Sequence, residues 1–362
     1  MKNFFNLILA SSLVLSASVF MGCNEEKKEE RKPVSVLIYS DYMDPSMLKD
    51  FEATYGYPLQ LELYEAQEEM IGKLQASGTA MYDVIIASDV VIQQMIHLNL
   101  MQKLDLTKIE NRKNLDPKFL NPDYDPNNEY TVPYLWGTSG IVYSDTTIAP
   151  EDVSYAMLFD STKTTCNFSL LDESRSMLSM TLQSLGLNPN TKDKEDIKKA
   201  VDVLLQAKSN PKFIGFDGSV AGKDKMISGA VQMAVVFNGE AQMAISENPK
   251  LRYAIPKEGS FIWVDVMTLS SKSPNPEGAY AFMNYILDAK NGAKLANYVA
   301  FGSPNKESYP FLDPEMASNP VIYPDSTIMD RLVFLSDPGE AARFSDEAWT
   351  ILQRRETFYS RG

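Results

Sequence analysis

Histidine is almost missing from this chain: one, His97, stands among 362 residues. A single imidazole argues against Ser-His-Asp catalysis and against multi-histidine metal sites. Cysteine is nearly as scarce, with Cys23 and Cys166 alone, so the fold must rest on its core and not on a disulfide framework. Cys166 is expected to be a small buried apolar residue. As a nucleophile it would have only His97 to call on, inside the helical-looking stretch VVIQQMIHLNLMQKL. Positive charge is also short, with 34 Lys and Arg against 48 Asp and Glu and a formal net charge of -14. That balance argues against a nucleic-acid partner and suits a cationic ligand, although solubility accounts for it equally well. Nucleotide and hydrolase signatures are missing too. GSVAGKD around Gly222 and Lys223 has the wrong glycine spacing for a P-loop, and Asp224 stands where a Ser or Thr would hold magnesium. DYDPNNE from Asp123 opens like a calcium loop, but Asn128 replaces its glycine and Tyr134 its closing glutamate. There is no HExxH, GxSxG or Rossmann fingerprint. Paired carboxylates are the one catalytic chemistry the composition leaves open. No enzyme activity and no cofactor are expected.

What the chain does have begins with a leader. Lys2 precedes a continuous apolar run from Phe4 to Gly22, then come Cys23 and the polar NEEKKEERK. A charged start, an apolar centre and a small residue before the cut read as a secretory signal over residues 1–22. The run is nearly long enough for an uncleaved membrane anchor. Gly-Cys followed at once by polar residues resembles a bacterial lipobox, with Phe20 in place of the usual Leu. That resemblance implies lipid on Cys23 and a charged tether over residues 23–33, which has no large apolar residue to fold around.

Beyond the tether, strands and helices alternate. VSVLIYS (Val34–Ser40), YPLQLELYEA and YDVIIAS (Tyr82–Ser88) read as strands separated by the helices DPSMLKDFEATYG and QEEMIGKLQASG. In the first helix Asp44 caps, Pro45 opens and Gly56 stops. This order implies a parallel sheet covered by helices on both faces. The alternation continues through the middle of the chain. CNFSLLD leads to a helix, KEDIKKAVDVLLQAK is another, and AVQMAVVFNGEAQMAI joins strand to helix at Asn238-Gly239. YAIPKEGSFIWVDVMTLS reads as two strands across a glycine turn, and a helix pair opens at Asn275-Pro276. Two α/β lobes follow, with no linker composition between them, so the chain is expected to cross back and forth.

Aromatics and carboxylates recur near strand ends: Tyr39, Asp41 and Tyr42; Tyr134 and Trp136; Asp172 and Glu173; Phe237 and Glu240; Trp263 and Asp265. Ligands of open α/β sheets bind beyond the carboxyl ends of strands. The ordinary role of any one such residue is a core rim or a helix cap, and Asp44 and Asp172 fit that role. Asp265 fits it least, because it lies inside the apolar run SFIWVDVMTL. Strand alternation puts it on one face with Trp263 and Phe261. A ring face attracts an alkylammonium and covers its methylenes, while a carboxylate makes a charge-assisted hydrogen bond to it.

The segment NLDPKFLNPDYDPNNEYTVPYLWGTSGIVYS (Asn114–Ser144), with YDVIIAS, VFNGEA, EGSFIWVDVMTLSSKSPNPEGAYAFMNYIL and GSPN near Gly302 in the same order, resembles the periplasmic spermidine/putrescine-binding proteins of ABC transporters. The resemblance covers most of the chain after the tether. It implies a type II two-lobed periplasmic binding fold, each lobe a mixed, mainly parallel sheet flanked by helices, with the ligand cleft between the lobes. The lobes are expected at 34–137 plus 265–308 and at 138–264 plus 309–362. The implied site comprises Asp265 on an amine, Trp263 as an aromatic wall, Tyr42 and Ser88. Tyr39 and Phe237 stand in places usually held by Trp, and Glu173 in place of an Asp. Asp41 and Glu240 stand where putrescine-preferring members carry acids. Ser176 replaces a Glu, Val90 and Phe301 replace tyrosines, and Leu335 replaces a Gln. These departures favour a diamine over a triamine. The resemblance further implies permease partners, a membrane anchor through Cys23, and a monomer. Two other readings of the residues stand beside it: another cationic solute, and a surface lipoprotein acting as sensor or adhesin. A solute bearing a carboxylate would have Arg175 as its basic partner.

Overall fold

The computed structural model describes residues 31–336, 339 and 341–353. The leader, Cys23 and all but the end of the tether lie outside the described residues. The described residues from Lys32 onward form one compact unit.

Val34, Val36 and Ile38 of β1 (Val34–Tyr39) face one apolar core and Leu37 the other. The same split recurs in β3 (Val84–Ser88), where Val84 and Ile86 face one side and Ile85 and Ala87 the opposite one. Strands covered on both faces read as unbroken apolar runs, which is why these segments lack clean alternation. β1 runs parallel to β2 (Leu59–Tyr64) and to β3. The intervening helix Ser46–Tyr55 starts where Asp44 accepts a hydrogen bond from the Ser46 N–H at 2.8 Å. It stops at Gly56, which takes the left-handed conformation at φ 73°, as its glycine suggests.

The second half has the same construction. β6 (Phe168–Leu171) lies between β7 (Phe213–Asp217) and β8 (Met233–Phe237), all parallel. Helices Ser174–Ser184, Lys194–Lys208, Ser219–Ser228 and Asn238–Glu247 connect and cover this half.

Two long strands join the halves. β5 (Thr131–Ser144) is buried along its length except at Ser144, and β10 (Ser260–Ser270) is buried throughout. Thr131–Thr138 of β5 pair with β10, and Ser139–Tyr143 pair with β8. β10 in turn lies antiparallel to β3. The resulting order is β2-β1-β3-β10-β5-β8-β6-β7, with β4 (Met101–Gln102) and β11 (Leu332–Phe334) on β10 and β9 (Leu251–Ala254) on β5. The expected lobe boundaries at 137/138 and 264/265 fall inside these crossing strands. The two strands expected across a glycine turn are both present, as β9 and β10 on either side of Gly259. Gly259 takes a positive φ of 99°, and β9 and β10 run in the same direction, one after the other, along β5.

Cys166 is buried and unpaired, as its small apolar character suggests. Asp172 is not a helix cap; it accepts hydrogen bonds from Trp349 and Gln353 of helix Ala341–Gln353 and so ties that helix down.

Candidate functional site

The carboxyl ends of the parallel strands of both halves, together with the middle of β10, present most of the expected residues as one group. Tyr39 ends β1. Three residues later Tyr42 donates its phenolic hydrogen to Asp265 Oδ2 at 2.6 Å, and Tyr134 of β5 holds that turn by donating to the Tyr42 carbonyl at 2.7 Å. Ser88 ends β3 directly opposite Asp265 in the β3–β10 ladder. Glu173 follows β6, and the Ser176 hydroxyl one helical turn on donates to it. Phe237 ends β8, its N–H bonded to the Ser219 hydroxyl at 2.9 Å.

The rings form a continuous chain. Tyr39 meets Tyr42 edge-on at 5.8 Å, Tyr42 meets Phe301 at 5.9 Å, Phe301 meets Trp263 at 4.9 Å, and Trp263 meets Phe237 at 5.8 Å. Bare backbone makes room for it. A Cβ on Gly137 would fall 2.3 Å from the Trp263 ring, and one on Gly239 would fall 2.4 Å from the Phe301 ring. Phe301 is set by the next residue, Gly302, which exchanges both backbone hydrogen bonds with Trp136 at 2.9 Å. Two hollows elsewhere on the surface, by Lys290 and Tyr298 and by Tyr253 and Val321, share no residue with this group.

Hydrogen bonding separates the buried aspartates into two kinds. Asp83 accepts from the Ser35 and Asn275 N–H groups and the Ser273 hydroxyl at 2.6–2.9 Å. Asp125 accepts three N–H groups and the Thr131 hydroxyl at 2.8–2.9 Å. Their charges are answered from within the fold, so both are structural. Asp265, 6% exposed, has the Tyr42 phenol. Asp89, 2% exposed, has the Ser88 hydroxyl at 3.0 Å, a long contact of 3.3 Å from the Val264 N–H and the N–H of the neighbouring Val90. Among the described residues, no basic side chain acts on either. Burial pushes the Asp265 carboxyl up to about 7; the Tyr42 hydrogen bond opposes that and the nearby Glu173 adds to it. Burial and the charge of Asp265 push Asp89 up to about 8. Burial likewise raises the phenols of Tyr39 and Tyr42 well above their ordinary value, so both are neutral donors.

Two expected acids stand apart from this group. Asp41 is exposed in the turn after β1, at φ 55°, a conformation that Asp tolerates better than most residues. Glu240 lies in the first turn of helix Asn238–Glu247, where burial raises its carboxyl while Ser219 and Lys223 pull it down. Its Oε2 is shut away from solvent without a hydrogen-bond partner. Val90 and Leu335 are part of the apolar packing. Arg175 bonds Asn190 at 2.7 Å and the Ser336 carbonyl at 2.8 Å, which commits it to fastening the chain there. Sequence reasoning missed Asp89, whose only signal is an acid directly after Ser88. It also missed Tyr64, on which the Tyr39 ring lies at 4.2 Å. Among the described residues, no three His, Cys, Asp or Glu gather as a metal site.

Residues 46–323 match the model of the bacterial extracellular solute-binding protein family. The chain belongs to that family. It is a solute-binding protein of the extracytoplasmic kind and not an enzyme, with the two-lobed fold of its relatives. It is 30% identical over 364 residues to the spermidine/putrescine-binding periplasmic protein 1 of Haemophilus influenzae, covering 98% of this chain and 99% of that one. A putrescine/agmatine-binding protein of Pseudomonas aeruginosa is 30% identical over 361 residues, covering 94% and 97%. The solved structure of a putative spermidine/putrescine ABC transporter from Listeria monocytogenes superposes with a TM-score of 0.80 at 31% identity, covering 90% of this chain and 99% of that one. The family description agrees with a sequence that carries no catalytic motif.

Proposed function

We propose that this protein captures a polyamine outside the cytoplasm and delivers it to an ABC importer. The observation that carries the reading is Asp265, a buried carboxylate with one phenol as its hydrogen-bond partner and a wall of aromatic rings beside it. A buried charge of that kind is costly until a cation meets it, and an alkylammonium brings both the charge and methylenes for the rings. A neutral or anionic solute would leave the acids unanswered. The names of the relatives support the same ligand class.

Within that class we favour putrescine over spermidine. Holding the middle nitrogen of a triamine needs polar groups along the cleft. Here Val90, Phe301 and Leu335 are apolar, and the Ser176 hydroxyl is engaged by Glu173. Asp265 would take one ammonium and Glu173 the other, with Tyr39, Phe237 and Trp263 along the methylenes and Ser88 beside Asp265. Glu240, with its unpartnered oxygen, would add negative potential from the second lobe. Asp41, in the exposed turn, would act at the rim. The lobes would close about the crossing strands near residues 137/138 and 264/265, the protein acting as a monomer anchored by lipid on Cys23.

Calorimetric titration of the chain from Asn24, unfolded and refolded to remove carried ligand, tests the reading with putrescine, cadaverine, spermidine, spermine and arginine. Tight putrescine binding and weaker spermidine binding are expected. Tighter spermidine would overturn the diamine preference, and silence across the panel would overturn the polyamine reading.

A further inference from the structure

Asp89 has no part in the site as read from the sequence, yet the backbone ties it to Asp265. Beside the neighbouring Val90 N–H, its hydrogen-bond donors are Ser88, which faces Asp265 across the ladder, and Val264, which immediately precedes Asp265. The titratable groups that face the pair come from five directions, and every one is an acid. Tyr39 and Tyr42 come from the end of β1, Tyr64 from β2, Tyr124 from the segment before β5, Tyr134 from β5, and Glu173 from the start of its helix. Asp83 and Asp125 show what this fold does when it stabilises a buried charge by itself: it supplies three or four donors. Asp265 receives the Tyr42 phenol alone, and the Ser88 and Val264 contacts on Asp89, at 3.0 and 3.3 Å, are longer than any of these. Two neighbouring carboxylates in a desolvated place cannot both stay ionised without a cation.

Building on the cation-binding reading, we propose that Asp89 and Asp265 act as one buried carboxylate pair, which carries a proton while no cation is bound and releases it to solvent when an ammonium group docks. One positive charge leaves as another enters, so the cleft avoids an unbalanced buried charge in either state. Asp89 thereby becomes an affinity-setting residue, because the proton it helps to hold competes with the ligand. Polyamine affinity rises with pH through the interval in which the pair ionises, and levels off above it.

Two measurements decide this. The first needs no ligand: carboxyl carbons of the ligand-free protein are followed by NMR against pH, with Asp89→Asn identifying the signals. Two groups are expected to titrate near 7 and 8, where burial places them. Two groups titrating in the ordinary range near 3.8 would overturn the proposal. The second is calorimetry with putrescine at neutral pH in buffers of different ionisation enthalpy. Release of about one proton per ligand is expected, and less than half of that from Asp89→Asn. Tight binding with no dependence on the buffer would overturn the exchange. If putrescine does not bind at all, the polyamine reading falls, and the ligand-free titration alone then upholds or removes the protonated pair. It does so on the unmodified protein, whatever the fate of the variant.

Discussion

Asp265 and Asp125 are both buried, and the difference between them is who answers the charge. Asp125 is met by backbone, so its removal would damage folding. Asp265 is met by one phenol, so its removal should damage binding instead. Asp265→Ala is expected to weaken polyamine binding by about 2–5 kcal/mol, measured by calorimetry, while thermal stability without ligand is held or improved. The raised carboxyls also fix a direction for stability against pH. Both groups hold protons in the folded state at pH values where the unfolded chain has lost them. Their contribution is complete below the ordinary value of 3.8, and it is lost as pH rises through about 7 for Asp265 and about 8 for Asp89. Ligand-free melting temperature should therefore fall between weakly acidic and weakly alkaline pH, and added putrescine should flatten that fall; a rise over the same interval would refute the burial of these charges. Asp265 was legible because an acid inside SFIWVDVMTL violates its surroundings. Asp89 was not, since an acid after a strand is ordinarily a cap, and only the pairing of β3 with β10 shows that it sits beside Asp265. For Asp41 the position in the chain was legible, but not the left-handed turn that leaves its side chain exposed.

At the scale of elements, the strands and their helices followed from local pattern, and the missing linker announced a crossing without saying which strands make it. The apolar runs of β1 and β3 announced strands covered on both faces. Nothing local in YAIPKEGSFIWVDVMTLS tells a hairpin from two strands in succession along a third, because that distinction lies in β5, over a hundred residues upstream. β5 also explains where the aromatic wall stands. Gly137 passes beneath the Trp263 ring with no room for a side chain. Gly137→Ala is expected to push that ring aside, with a stability loss of about 1–3 kcal/mol and a shifted tryptophan emission. Polyamine affinity should drop with it. An unchanged spectrum and affinity would mean that the ring can move without consequence.

For the whole molecule, capture and anchorage are separable. If Cys23 carries lipid, Cys23→Ala should release the protein from the membrane fraction and abolish incorporation of labelled fatty acid, while the solute-binding properties of the folded unit stay as they were. Continued membrane association would point to the leader itself as the anchor. The two strands shared by both halves have a wider consequence. A fragment ending anywhere between Thr131 and Ser270 would expose a raw apolar sheet edge, the template on which chains aggregate. Neither half is therefore expected to fold as an independent module. Evolution can retune this receptor one side chain at a time, but it cannot shuffle its halves between genes.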